Sequence, residues 1–425
     1  MNTRMLRGEE GFQEFADLLD LSKEQRFERA RALKESFMPF KVTEFYANLI
    51  ASQSEPYRTQ MTNIVLPPIG EKPFLGRFDP YGNRNVRQDK SFLQHKYPKT
   101  LLLHIDDFCI SNCQFCYKVR EIRHEDKGKD GLDEKVQTAL DYLNEHPEVD
   151  NVLFTGGDPA AFRKTKDLIG MISPLINSEG IRVVRFATKG LAYDPERFED
   201  PELLDLFYKT NKIDGKQISV ISQINHPGEI GEDSRRAVKA LQEAGVQIRG
   251  QPAVIRGVNN SVETLTDLQR RYVDNQIVAY YLTVFMPVRG VEQYALPLHE
   301  AFGNIAESKR NLSGLEKKGI VLTSHDFGKL EISGFIPTPE NPRQIVLKWH
   351  QAAMPKYLPR ELKERIPIRP EDILILDYEK DMYCVDHVFR ANGLPYFNSD
   401  GELVKNIRKS YEGKVLLPVE QAAWC

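Results

Sequence analysis

The chain of 425 residues is 41% apolar and 28% charged, the balance of a globular rather than a disordered protein. A formal net charge of −3 leaves no nucleic-acid footprint, and no run reaches the roughly 20 apolar residues that cross a bilayer. The opening Met1-Asn2-Thr3-Arg4-Met5 lacks the apolar stretch of a signal peptide, so a cytosolic protein is expected.

Residues 1–95 read as a helical and then irregular wrapping region. Stretches 12–19 and 23–37 carry apolar residues at three- and four-residue spacing, and a Pro/Gly/Asn-rich passage follows at 67–85. From 96 to 335 the rhythm changes to short β-rich runs at 100–106, 151–155, 182–188, 217–224, 246–254 and 277–284. Amphipathic stretches near 133–145, 163–176, 201–209, 232–244 and 262–273 separate them. Parallel strands need long, usually helical, connections. The alternation therefore predicts an α/β fold with a partial (βα)6 barrel, whose chemistry sits at the C-terminal strand ends. An open doubly wound sheet is the competing architecture. Residues 336–425 are expected to form a C-terminal α+β cap, Pro-rich at first, with a hairpin around Asn398-Ser399-Asp400-Gly401.

Of five cysteines, three crowd into Cys109-Ile-Ser-Asn-Cys113-Gln-Phe-Cys116, just past the first barrel strand. Cys384 and Cys425 stand apart and read as ordinary thiols. Clustered thiols in a reducing compartment point to metal. Three thiolates on one tight loop can ligate three irons of a [4Fe–4S] cluster and leave the fourth iron open. A zinc site completed by His104 or Cys384 is the other reading, although zinc favours C-x2-C pairs and a closed tetrahedron. The C-x3-C-x2-C spacing, with Phe115 before the last cysteine, resembles the radical S-adenosylmethionine (SAM) superfamily. That resemblance implies SAM chelated to the open iron and cleaved by one electron to a 5′-deoxyadenosyl radical. It also implies a small-molecule substrate and an electron donor such as flavodoxin or ferredoxin; a homo-oligomer is left open. Thr155-Gly156-Gly157-Asp158-Pro159, after the second strand, matches the superfamily's contact to the SAM amino group.

More closely, the chain resembles the lysine 2,3-aminomutase family from about Asp79-Pro80 to about residue 350. The blocks that carry this are His95-Lys96-Tyr97-Pro98, Phe154-Thr155-Gly156-Gly157-Asp158-Pro159 and Val184-Arg185-Phe186-Ala187-Thr188. Asn225-His226-Pro227 with Glu229, Gln251 with Arg256-Gly257-Val258-Asn259, and Tyr280-Tyr281 follow in order. The resemblance implies pyridoxal phosphate (PLP) held as a Schiff base on Lys329, in His325-Asp326-Phe327-Gly328-Lys329. Gly156, Gly157, Asp158, Gln223 and Gln251 would seat SAM, and Lys96 would help hold PLP.

The departures are as informative. The family's glycine run before the lysine is reduced to Gly328, and its arginines before the first strand are Lys96 and Thr100. The arginine that grips the substrate carboxylate is replaced by Lys118, with Arg120 close behind. The histidine before the Asn-His-Pro block is Gln223. Met286 and Thr323 fall where lysine-specific members place two aspartates, and a buried ammonium without carboxylate partners is costly. Two readings follow: a PLP-using 2,3-aminomutase acting on an amino acid other than lysine, or a PLP-free radical SAM enzyme performing another rearrangement, elimination or epimerisation. A non-enzymatic zinc or iron–sulfur protein is a third, against which the Gly-Gly-Asp-Pro block argues.

Overall fold

The computed structural model describes residues 4–77, 92–119, 121–122, 131–159, 164–324, 328–337, 343–354, 373–394, 396–397 and 403–404. The N-terminal stretch forms β1 (Met5–Arg7), α1 (Gly8–Leu18), α2 (Lys23–Glu35), β2 (Lys41–Thr43), α3 (Glu44–Ala51) and α4 (Tyr57–Val65). In α1 the apolar positions Phe12, Phe15 and Ala16 share one buried face, and Phe12 and Phe15 meet Phe40 at ring distances of 5.9 and 5.4 Å. Ser22 opens α2 with a reciprocal capping box to Gln25, and Thr43 caps α3 by accepting from the Tyr46 N–H.

Next comes β3 (Leu93–Tyr97), paired antiparallel with β4 (Thr100–Asp106). Parallel strands β5 (Asn151–Gly156), β6 (Val183–Thr188) and β7 (Gln217–Ser222) follow, spaced by α5 (Leu132–Glu145), α6 (Thr165–Asn177), the short α7 (Gly190–Tyr193) and α8 (Pro201–Asn211). After α9 (Glu232–Glu243), the fifth strand is split into β8 (Gln247–Gly250) and β9 (Ala253–Val254). After α10 (Val262–Asp274), the sixth is split into β10 (Val278–Ala279) and β11 (Leu282–Val284). The first break holds Pro252, which has no N–H for the ladder, and the second holds the Tyr280-Tyr281 pair.

The breaks divide the wall into two sheets, one in the order β10-β8-β7-β6-β5-β4-β3. The other begins β9-β11 and takes on β12 (Ile320–Ser324), a seventh parallel strand reached through α11 (Leu298–Ser308). It continues antiparallel through β13 (Gly328–Ile336), β14 (Arg343–Ala352) and β15 (Ile373–Tyr378), with α12 (Val385–Ala391) packed on it. Leu282, Leu322, Leu330, Leu347, Leu374 and Phe389 belong to a second core there, distinct from the larger one under the first sheet. The hairpin expected in the C-terminal segment is present as β16 (Tyr396–Phe397) against β17 (Leu403–Val404). Its turn, Arg120, Cys425 and residues 78–85 of the Pro-rich passage lie outside the described residues. Among the described residues no helix is long and apolar enough to cross a membrane.

Candidate active site

The cysteine loop leaves β4 at Asp106, whose carboxylate accepts from the Phe108 N–H at 2.9 Å and so turns the chain. The N-terminal region then clamps the loop from outside. Asn112 N donates to Lys41 O at 2.8 Å, its Nδ2 to Pro39 O at 2.9 Å, and Gln114 N to Ile64 O at 2.9 Å. Ser111 Oγ accepts from the Thr43 N–H at 2.9 Å. Cys109, Cys113 and Cys116 all face one chamber of about 400 Å³ in the barrel. Burial pushes all three thiols up, Cys113 to about 12 despite the opposing pull of Lys189 and Tyr193. Such thiols stay neutral until a metal displaces their protons.

His104 and Cys384, the other candidate zinc ligands, do not line this chamber. His104 Nε2 lies 3.3 Å from Gln94 Oε1, and Cys384 lines a separate cavity with Arg77, Asp386 and His387. Among the described residues the chamber therefore offers three thiols without a fourth protein ligand, which fits a cluster with one open iron.

The Gly-Gly turn packs directly on that loop. Gly157 N donates to Asp106 O at 2.6 Å and Asp158 N to Phe108 O at 2.9 Å. A Cβ on Gly156 would sit 1.9 Å from Asp106 O, and one on Gly157 would sit 2.2 Å from Phe108 O. Gly156 also adopts φ of +127°, a conformation side chains disfavour. The glycines thus serve the backbone contact as well as the chamber wall they line. Gly156→Ala is expected to cost about 2–4 kcal/mol and to lower cluster loading. Thermal unfolding and iron content check this; an unchanged midpoint would show that the loop can yield. The Asp158 carboxylate accepts from Thr188 Oγ1 at 2.5 Å and Lys189 N at 2.8 Å, fixing the end of β6 to the end of β5.

Sequence reasoning did not single out what supports Cys113. Its Sγ lies 2.9 Å from Tyr193 Oη, and Tyr193 meets Tyr46 edge-on at 4.7 Å. Tyr46 Oη donates to Glu229 Oε1 at 2.7 Å, and Lys189 Nζ lies 2.5 Å from the same oxygen. Glu229 Oε2 accepts from the Asn225 and His226 N–H groups at 2.6 and 3.1 Å. Three chain segments converge on this carboxylate, which no short motif reveals. Removing one partner of a buried ion pair strands the other, so Glu229→Gln should destabilise by about 3–5 kcal/mol. Urea unfolding reads the change; a loss below about 1 kcal/mol would mean Lys189 finds another partner.

Elsewhere on the chamber wall, cross-strand pairing brings residues distant in sequence together. Lys329 on β13 stands opposite Thr323 on β12 and Gln351 on β14, and all three line the chamber. Lys329 Nζ donates to Tyr281 Oη at 2.7 Å, and that hydroxyl also accepts from Gln251 Nε2 at 3.1 Å. Desolvation first, then the charges of Arg185 and Lys96, bring the Lys329 amine down to about 8. Gly328, at φ of +109°, permits the approach to β14, where a Cβ would meet Gln351 O at 2.3 Å.

Lys96, Lys118, Gln223, Gln251, Met286 and Thr323 all line the same chamber. Lys118 is buried and donates to Thr155 Oγ1 at 2.6 Å and Gly156 O at 3.0 Å. Arg185 belongs to the Val184-Arg185-Phe186-Ala187-Thr188 block. It lines the chamber too, with Nε donating to Asn151 Oδ1 at 2.8 Å.

The family profile of the Radical SAM superfamily matches residues 104–268, which begins in β4 and runs past the cysteine loop and the Gly-Gly turn. A lysine 2,3-aminomutase-like protein of Aquifex aeolicus is 30% identical over 340 residues, covering 79% of this chain and 87% of that protein. The chain belongs to the lysine 2,3-aminomutase-like family of the radical SAM superfamily. An L-lysine 2,3-aminomutase of Fusobacterium nucleatum is 25% identical, covering 95% of this chain and 93% of that one. A glutamate 2,3-aminomutase of Clostridioides difficile is 27% identical, covering 48% and 46%. The family makes this chain an enzyme of isomerase type and implies a [4Fe–4S] cluster and SAM, which the three-thiol loop fits.

Proposed function

We propose that this enzyme moves an amino group between adjacent carbons of an α-amino acid other than lysine, using PLP held at Lys329. The observation that carries this reading is the setting of Lys329. Its partly buried amine, brought down to about 8, faces the same chamber as the cysteine loop. An amine that bonds a carbonyl must be neutral when it attacks. A phosphate needs cations, and Lys96 and Arg185 supply two beside that amine. The residues present thus fit PLP, and the loss of the glycine run leaves the positive charge in place. When bound, PLP supplies a conjugated system that spreads an unpaired electron during amino migration, and the cluster with SAM supplies the radical that removes the first hydrogen.

The chain's own groups divide the remaining work. The Tyr281 hydroxyl, which also accepts from Gln251, accepts a hydrogen bond from the Lys329 amine and orients it in the chamber. Lys118 sets a positive charge in the wall between the cysteine loop and the Gly-Gly turn, where a substrate carboxylate is attracted. Gln223, Gln251 and the close backbone of Gly156 and Gly157 offer the polar surface for SAM. Met286 and Thr323 bring no carboxylate to the chamber, and Asp158 has both oxygens engaged. Among the described residues a distal ammonium meets no unengaged carboxylate in the chamber, which weighs against lysine. The reducing electron is taken from a donor such as flavodoxin or ferredoxin.

Borohydride reduction of anaerobically purified, PLP-supplemented protein, followed by peptide mass mapping, tests the reading. A pyridoxyl adduct is expected on the Lys329 peptide and not in Lys329→Ala. An unmodified Lys329 in protein that still cleaves SAM would overturn it, in favour of a PLP-free rearrangement.

A further inference from the structure

On β3, Gln94 and Lys96 line the chamber, so His95 between them faces the other side of the sheet. There it meets the C-terminal end of α5. His95, His146 and Glu148 each bring one ligand-capable atom to a common point, all within 4.8 Å of one another. His95 is fully buried, whereas His146 and Glu148 keep 28% and 44% of their side chains exposed, which gives an ion a route in.

The hydrogen bonds already sort the ring nitrogens. His95 Nε2 lies 3.1 Å from Pro98 O, which can only accept, so Nε2 carries the hydrogen and Nδ1 the lone pair. Histidines that bind metal are held in this way, by a carbonyl or carboxylate on the nitrogen away from the ion. At present Nδ1 is met at 2.9 Å by Tyr142 Oη, a neutral hydroxyl that an ion can replace. His146 is fixed from both sides. Its ring stacks on Tyr142 at 4.1 Å, and its Nδ1 lies 3.0 Å from Glu148 Oε1. Two ligand atoms bound tetrahedrally to one ion at about 2.1 Å stand little further apart than this.

We propose that His95, His146 and Glu148 bind a divalent transition-metal ion of the zinc type, through two imidazole nitrogens and one carboxylate oxygen, with solvent completing the shell. Imidazole with carboxylate suits zinc, whereas calcium and magnesium take oxygen ligands. The ion would tie the β3–β4 turn to the exit of α5. The neighbours of His95 on β3, Lys96 and Tyr97, line the chamber beside Lys329. The site is structural, lies outside the chamber, and does not depend on the reaction assigned above.

The test uses cluster-loaded protein, so that the loop thiols are occupied. Zinc, delivered against a chromophoric chelator, is expected to bind at one equivalent per chain beyond the cluster iron. Glu148→Gln and His146→Ala should each weaken that binding roughly tenfold or more, with thermal midpoints in the absence of zinc close to the parent's. Cobalt(II) in the same site should show visible d–d bands without thiolate charge transfer. No added equivalent, uptake unchanged in both variants, or thiolate bands in the cobalt spectrum would each overturn the proposal.

Discussion

Lys329→Ala is expected to abolish the rearrangement, by roughly 10³-fold or more, while the iron content and the slow cleavage of SAM under reduction persist. The separation is physical. Lys329 sits on β13 and contacts Tyr281 and Gln351, on chain segments separate from the loop that carries the three cysteines. The pH dependence of adduct formation gives a second readout. With the amine at about 8, about a tenth of the chains hold it neutral at pH 7, against roughly one in three thousand at the ordinary 10.5. The rate of borohydride-trapped adduct formation should climb about tenfold per pH unit up to pH 8 and flatten above. A rate that climbs unbroken to pH 10 would mean that the chamber does not perturb the lysine.

Stability should carry the opposite sign. Because the folded amine titrates below the unfolded one, the unfolded chain binds more protons between about 8 and 10.5. Lys329 therefore costs stability at pH 7, and the cost fades as pH rises through that window. Lys329→Met, similar in shape and uncharged, is expected to unfold no lower than the parent at neutral pH. Thermal unfolding at pH 7 and pH 10 would show the difference shrinking.

Cys113→Ala is expected to reduce iron from about four atoms per chain to nearly none, and 5′-deoxyadenosine to the level of a control without enzyme. Two thiolates on a loop open to the chamber cannot hold a cube against exchange with solvent. Tyr193→Phe gives the contrast, because it removes only the hydroxyl 2.9 Å from Cys113 Sγ. With the thiolate on iron, that hydroxyl donates to sulfur and favours the reduced, more negative cluster. The variant should keep its iron but show a more negative reduction potential and slower SAM cleavage. Anaerobic iron assay and redox titration distinguish the two. A Cys113→Ala protein that retained its cluster would show that another group can serve as third ligand.

Much of this was readable in the order of residues. The run at 100–106 is β4 to the residue, and the helix expected at 262–273 is α10 within one position. Both follow from local signals: a short apolar run, Leu101-Leu102-Leu103, in the strand, and Ser261 accepting from the Thr264 N–H ahead of the helix. The three cysteines were equally legible, since a loop of eight residues cannot take its thiols far apart. The seventh parallel strand, β12, was missed because Ile320-Val321-Leu322-Thr323-Ser324 is a short apolar run of ambiguous period, set in the wall only by pairing with β11.

Neighbours along the chain thus settle the βα rhythm, the cysteine loop and the glycine turn. The tertiary structure alone decided that Lys96, Arg185 and Lys329 share one chamber, and that Tyr193, Tyr46, Lys189 and Glu229 stand behind Cys113. Those contacts join residues far apart in the chain. Their chemistry comes from shared burial, which lowers the lysine and raises the thiols, and burial is a property of packing that no local pattern encodes.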